Sequence, residues 1–297
     1  MGPSAGRSYT LNDGLGTRAL GEHAVHGRVE ILTVSTELAE DPDVEAALRA
    51  GAVRAAASRL PMLTSVHAIE SDAEALRVVA NAPAGIRLSD LLSEAEAGRE
   101  ELTDAAALDI ATAIVQAVAA VHEVPGGLAH GAVSPAHIIL TREGQCLLTD
   151  AIFGGALEAL RQNRGSLWRE FGVALPSSAS VHRFDQRADV TQLGAVILAL
   201  LLGRALHADE YPRAIGDLVV TATPTARGAA ATALRMWLQQ ALQLHPRASF
   251  NSAVAARQAF SEILEASGVR RPRRQARAFP MLARLDTMAA ARCGIAR

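Results

Sequence analysis

The residue types that could do chemistry gather near the middle of the chain. His130-Gly131-Ala132-Val133-Ser134-Pro135-Ala136-His137 runs into the apolar Ile138-Ile139-Leu140. A turn around Arg142-Glu143-Gly144 follows, and a second apolar run ends on Asp150. A loop in front of a short strand can hold side chains beneath a bound ligand. A carboxylate at a strand end can help hold a divalent ion, and it can equally form a turn. Yet this loop offers a methyl at Ala132, a hydroxyl at Ser134 and an imidazole at His137, where a catalyst would place an acid, a base or a cation. Far upstream, Gly14-Leu15-Gly16-Thr17-Arg18-Ala19 fits G-x-G-x-x-A. That pattern suits a phosphate cradle and a plain turn about equally, and Arg18 would suit a phosphate oxygen.

Composition limits what such a site could be. The chain has 297 residues, 49% of them hydrophobic, which is enough for a sizeable core and argues against disorder. Aromatic residues make up only 3%, so Leu, Val, Ile and Ala must build that core. The net charge of -2 gives no general attraction to nucleic acid or to an anionic membrane. The chain has no lysine; all 29 basic side chains are arginine, so no mechanism that needs a lysine ammonium can operate. Cys146 and Cys293 fit no metal spacing and read as reduced thiols of a cytoplasmic protein. The N-terminus has no apolar signal region, and the most apolar run, 193–202, is too short to span a bilayer and reads as a buried helix.

The elements that must position these residues follow from periodicity. Residues 1–28 read as irregular, with room for one or two short strands. Residues 29–35 form a strand candidate and 41–60 a helix, with Pro42 in its first turn. Strand candidates follow at 62–68 and 75–80, then a hinge at Asn81-Ala82-Pro83-Ala84-Gly85. Helices are expected at 88–99, at 103–124 with Thr103 as N-cap, at 188–202 ended by Gly203, at 227–244 and at 251–266. Residues 151–186 are mixed, with a Ser/Pro-rich loop at 176–180. The expected architecture is α+β and bilobal: a reduced β-rich N-lobe with one helix over 1–82, a larger α-helical C-lobe over 83–266, and a basic tail over 267–297.

The order and spacing of four pieces resemble the protein kinase family, bacterial Ser/Thr kinases in particular. The stretch from His130 to Leu140 resembles the catalytic loop H-[RG]-D-[LV]-K-P-x-N-[IV]-L. Asp150 stands where the metal-binding D-F-G aspartate is expected. Asp189-Val190-Thr191-Gln192-Leu193-Gly194 resembles the opening of the central buried helix, and Pro83-Ala84-Gly85 with Leu88-Ser89-Asp90-Leu91-Leu92 resembles the hinge segment. The resemblance implies a bilobal kinase-like fold with ATP and Mg²⁺ held between the lobes.

Position by position, it also implies that the catalytic groups are gone. Ala132 stands for the catalytic aspartate, Ser134 for the loop lysine and His137 for the metal-binding asparagine. Leu32 stands for the lysine of V-A-[IL]-K, which is matched by Val29-Glu30-Ile31-Leu32. Its glutamate partner falls at Gly51, or with a slip near Glu45. The lid looks shortened. Phe153-Gly154 lies two positions beyond its place in D-F-G. Residues 171–188 contain no Glu for the A-P-E motif, and its usual arginine partner is displaced to Arg247. His130 and Asp189 are retained, and the resemblance implies that Asp189 accepts hydrogen bonds from the backbone near His130.

The expectation is therefore a catalytically inactive, pseudokinase-like scaffold that binds a protein partner and needs no cofactor. The alternative is a diverged ATP-using transferase in which Arg18 or Arg28 replaces the lysine. The weak nucleotide-binding candidates are Gly14, Gly16 and Arg18, and the weak metal candidate is Asp150. The tail carries eight arginines against Asp286, which suits a solvated end or a contact with an anionic membrane surface. It lacks the interleaved aromatics of a nucleic-acid binder. The remaining histidines show no metal spacing. Ser166, Ser177, Ser178 and Ser180 read as loop residues of the activation-segment region.

Overall fold

The computed structural model describes residues 4–11, 13–176, 182–224 and 228–267. The basic tail, Cys293 and Ser177, Ser178 and Ser180 lie outside the described residues. The N-terminal lobe is a five-stranded antiparallel sheet in the order β1-β2-β3-β5-β4. Its strands are β1 (Ser4–Thr10), β2 (Gly16–His23), β3 (Gly27–Val34), β4 (Val66–Ser71) and β5 (Leu76–Asn81). Between β3 and β4 lie the short α1 (Thr36–Ala39) and the longer α2 (Pro42–Ser58). The Asp41 side chain accepts from the Asp43 N–H and so caps α2, with Pro42 in the first turn.

The lid is complete, contrary to the sequence expectation. β2 and β3 form a continuous ladder from Gly16–Val34 to His23–Gly27, joined by a three-residue turn. A full strand pair therefore fits into the short connection. β1 and β2 occupy the stretch in which room for one or two short strands was expected; SAGRSYT has no apolar alternation that would place β1 more closely.

The C-terminal lobe is mostly helical: α3 (Leu88–Glu96), α4 (Asp104–His122), α5 (Phe153–Ala159), α6 (Arg164–Phe171), α7 (Gln186–Leu202), α8 (Ile215–Ala222), α9 (Ala229–Ala241) and α10 (Ala253–Ala266). It also holds a small sheet of β6 (Ile86–Arg87), β7 (Ile138–Leu140) and β8 (Cys146–Leu148). α4 is apolar and long enough to cross a membrane by length and composition alone, which the sequence reading did not pick out. Its most apolar window is 61% buried against the rest of the fold. α7 is buried on every side from Ala188 to Leu200, which explains its lack of a polar face. It starts on the Asp185 side chain, which accepts from the Arg187 and Ala188 N–H groups, and stops at Gly203 in the left-handed conformation.

The apolar core falls into two main parts. One joins α3, α4, α7, α9 and α10. The other lies between the sheet and the C-terminal lobe and joins Leu32, Val34, Leu38, Val44 and Leu48 to Ala132, Ile152, Phe153 and Phe171. The second part fixes the cleft between the lobes.

Candidate functional site

The loop 130–137 hangs from α7. Asp189, fully buried, accepts from the His130 N–H at 2.7 Å and the Gly131 N–H at 2.6 Å. It also bonds His122 Nε2 at 2.8 Å. One turn further, Gln192 accepts from the Val133 N–H at 2.7 Å and donates to the Gly131 carbonyl at 3.1 Å. The His130 ring accepts from the Ala132 N–H on Nδ1, and its Nε2 lies 2.9 Å from the Thr149 carbonyl. Burial keeps this imidazole neutral, pushing it down to about 4. Gly131 has φ +78°, and a Cβ on it would lie 2.5 Å from Gly154 Cα. The loop and the segment after Asp150 thus touch backbone to backbone.

The sequence-derived positions fall as follows. Ala132 is fully buried among apolar side chains. Leu32 is 2% exposed and packs in the same cluster. On α2, a Cβ at Gly51 would lie 2.8 Å from the Ile152 carbonyl oxygen. No side chain fits there, and Leu32 of β3 shares one apolar cluster with Val44 and Leu48 of α2, where the kinase resemblance would place a lysine–glutamate pair. Glu45 is ion-paired with Arg49 on the outside of α2. Arg28 is exposed at the far end of β3, away from the cleft. Gly14 and Gly16 both have positive φ, and their missing side chains face protein backbone: Glu170 O at 2.2 Å for Gly14 and Thr33 O at 2.1 Å for Gly16.

The cleft itself holds a network of charges. Arg18 is 1% exposed and enters from β2. Its Nη1 donates to Glu30 at 2.6 Å and to Asp150 at 3.3 Å. Its Nη2 donates to Asp13 at 2.9 Å and to the other Asp150 oxygen at 3.3 Å. Arg87 donates to Glu30 and, at 2.7 Å, to the Ala136 carbonyl. Tyr9 donates to Glu30 as well. His137 bonds Asp13 through Nε2 at 3.2 Å and the Ala132 carbonyl through Nδ1 at 2.6 Å, with Ser134 Oγ 3.2 Å from Nδ1. Thr149 donates to Asp150, whose backbone sits at φ +62°; short-chain Asp tolerates this region better than most residues.

Burial alone would raise the carboxyl groups of Asp13, Glu30 and Asp150. The neighbouring groups outweigh it and hold all three below the ordinary carboxylate range: the Arg18 guanidinium, the His137 ring and the Arg87 guanidinium act on Asp150, and Arg87 and Arg18 act on Glu30. On Asp13, His137 and Arg18 do the same. Conversely, the carboxylates raise Arg18 against the opposing effect of burial.

Mg²⁺ with ATP, which this kind of fold implies, does not fit these residues. Both Asp150 oxygens already bond one guanidinium, the neighbouring His137 offers an imidazole where Mg²⁺ prefers oxygen, and Asp13 and Glu30 add negative charge beside Asp150. Among the described residues, no group of three His, Cys, Asp or Glu side chains is arranged to hold a metal ion. A groove of about 910 Å³ runs between the second half of α2 (Gly51, Arg54, Ser58), residues 124–130, α5 and the start of α7, and none of the charged network lines it.

Sequence reading missed Asp13, Glu30, Arg87 and Gln192. Its available signals were a lone charge inside the apolar run Val29-Glu30-Ile31-Leu32 and another between Ile86 and Leu88.

This architecture is the bilobal protein kinase-like fold. The kinase domain of Mycobacterium tuberculosis PknI aligns with it at a TM-score of 0.63, with 23% identity over 88% of this chain and 96% of that one. A second structure of the same domain gives a TM-score of 0.62, with 22% identity over 89% and 96%. In sequence, the chain is similar to a probable serine/threonine-protein kinase of Streptomyces coelicolor, 27% identical over 234 residues. That match covers 74% of this chain and 34% of the relative, so the chain spans about a third of the relative's length. No family model matches the chain.

Proposed function

We propose that this chain is a catalytically inactive kinase-like domain, a pseudokinase, that works by binding a protein partner. One observation carries the reading. Ion pairs between the protein's own carboxylates and guanidiniums bridge the cleft that would take nucleotide, and Ala132 stands where the kinase resemblance places the catalytic aspartate. A methyl group can neither accept a proton nor orient a hydroxyl. A positioned base supplies ~10²–10⁴-fold in rate. Asp13 and Glu30 add negative charge beside Asp150, which opposes a polyphosphate, and the guanidinium that could offset it, Arg18, is engaged by all three carboxylates.

A second reading, a diverged ATP-using transferase, is favoured by one feature: Arg18 lies directly across the ladder from Leu32 and reaches Asp150. Thermal unfolding with and without millimolar ATP and Mg²⁺ or Mn²⁺ separates the two. The inactive reading expects a shift below ~1 °C and no transfer of radiolabel from ATP to a generic protein substrate. A shift of several degrees that is lost in Asp150→Ala, or labelled product, supports the transferase.

A further inference from the structure

The cleft has one feature that loss of catalysis does not require. An inactive site could have filled with apolar side chains, as the space between β3 and α2 has done. Instead it keeps three carboxylates from three separate parts of the chain: Asp13 before β2 and Glu30 on β3, both buried, and Asp150 after β8, whose side chain is 10% exposed. All three converge on one planar cation. Four of the five guanidinium N–H groups of Arg18 are matched: Glu30 takes one edge, Asp13 the opposite edge, and both oxygens of Asp150 face the fork between Nη1 and Nη2. The fifth, on Nε, is buried without a partner. Thus the fit is built around the terminal fork of the group and not around its stem.

We propose that the inter-lobe cleft is a guanidinium site, with the Arg18 side chain as its tethered occupant, and that a free alkylguanidinium cation takes the same cage when that side chain is removed. The inference rests on the reading of this cleft as one that takes no nucleotide, and it adds the chemical class of what the cleft accepts. It also explains how the lobes stay together without a nucleotide. Arg18 on the upper sheet reaches Asp150 in the lower lobe, Asp13 reaches His137, and Glu30 reaches Arg87, which in turn holds the Ala136 carbonyl. A partner would then meet a closed arrangement that no small ligand has to set.

The preference for a planar fork follows from geometry. A lysine ammonium has three donors on one atom and cannot reach Asp13 and Glu30 from opposite edges. A divalent ion would require the carboxylates to collapse inward onto it at ~2.0–2.6 Å.

The test is chemical rescue of Arg18→Ala, read by thermal unfolding. The substitution leaves three largely enclosed carboxylates short of a cation, and the expected drop in Tm is on the order of 10 °C. Ethylguanidinium at ~10 mM, far below denaturing concentrations, is expected to return several degrees in Arg18→Ala and less than ~1 °C in the wild type. Ethylammonium, Na⁺ and Mg²⁺ at equal concentration are expected to return little. Rescue by Mg²⁺ or ethylammonium equal to that by ethylguanidinium, or no rescue by any of them, overturns the proposal. If Arg18→Ala does not fold, Arg18→Lys decides: a Tm equal to that of the wild type overturns the proposal, and a drop of several degrees that added ethylguanidinium partly reverses supports it. A nucleotide titration of the wild type is run alongside. Failure of that control removes the inactive reading, whereas failure of the rescue removes only this one.

Discussion

Arg18 and Leu32 are direct partners across the β2–β3 ladder, so their side chains leave the sheet on the same face. The cation therefore enters the cleft from β2, and the position on β3 that carries lysine in the kinase pattern is apolar. Restoring that lysine is expected to do harm. Leu32→Lys places an ammonium in the cluster of Leu15, Val34, Leu38 and Leu48, next to a guanidinium already raised by its carboxylates. The expected cost is about 3 kcal/mol in urea unfolding, with no gain of stabilisation by ATP. A variant with wild-type stability and a nucleotide-dependent shift contradicts this.

Asp189 carries the catalytic-type loop on its own side chain. Two backbone N–H groups and the His122 ring bond its oxygens inside a fully buried space. Asp189→Asn turns one acceptor into a donor that faces N–H groups. The expected loss is about 2–4 kcal/mol, with faster amide exchange at His130 and Gly131 specifically. Unchanged exchange at those two amides shows that the loop does not depend on the carboxylate.

How much of this was readable in advance depended on the range of the interaction. α4 and α7 announce themselves locally, through Thr103 and Gly203 at their ends and an apolar run between. α5 and α6 lay in a stretch that read as mixed, and α8 lay between the helices expected at 188–202 and 227–244, where no element was assigned although Ile215 and Val219 stand at helical spacing. The pairing of Asp189 with the loop is visible only through the family likeness, because 58 and 59 residues separate the partners. The charged cage was not readable as a set. Arg18 meets Asp150 across 132 residues, and nothing in G-x-G-x-x-A says that the arginine turns to protein carboxylates and not to phosphate. Glu30 gave the best clue, since a single acid among Val29, Ile31 and Leu32 must find a cation if that strand is buried on both faces.

Gly131 and Gly154 tie the loop to the segment after Asp150 at a distance that no side chain permits. Gly131→Ala combines a left-handed backbone, φ +78°, with a Cβ 2.5 Å from Gly154 Cα. Backbone has to move in response, and the expected cost is about 2–4 kcal/mol. Gly172→Ala serves as the control. It has φ +65° but nothing within 4 Å of the added Cβ, so only the backbone term, about 1 kcal/mol, is expected. Equal losses in the two variants in denaturant titrations mean that the contact with Gly154 is not the cause.

Acid sensitivity is expected to come in two stages, because two kinds of buried group shift in different windows. Burial keeps His130 neutral down to about 4, against 6.5 for an ordinary histidine; the carboxylates of Asp189 and Asp150 pull the other way but do not prevail. As pH falls from 6.5 to 4, the unfolded chain takes up a proton that the folded chain refuses, so stability falls with a slope of up to ~1.4 kcal/mol per pH unit. Asp13, Glu30 and Asp150 are shifted below their ordinary values. Their contribution is in place above ~pH 4.5 and is lost only as pH falls further. His130→Gln removes the first stage and keeps the second. Urea midpoints measured from pH 7.5 down to 3.5 check this: a wild-type curve that is flat between 6.5 and 4.5, or a His130→Gln curve that still falls there, contradicts the assignment of the first stage to His130.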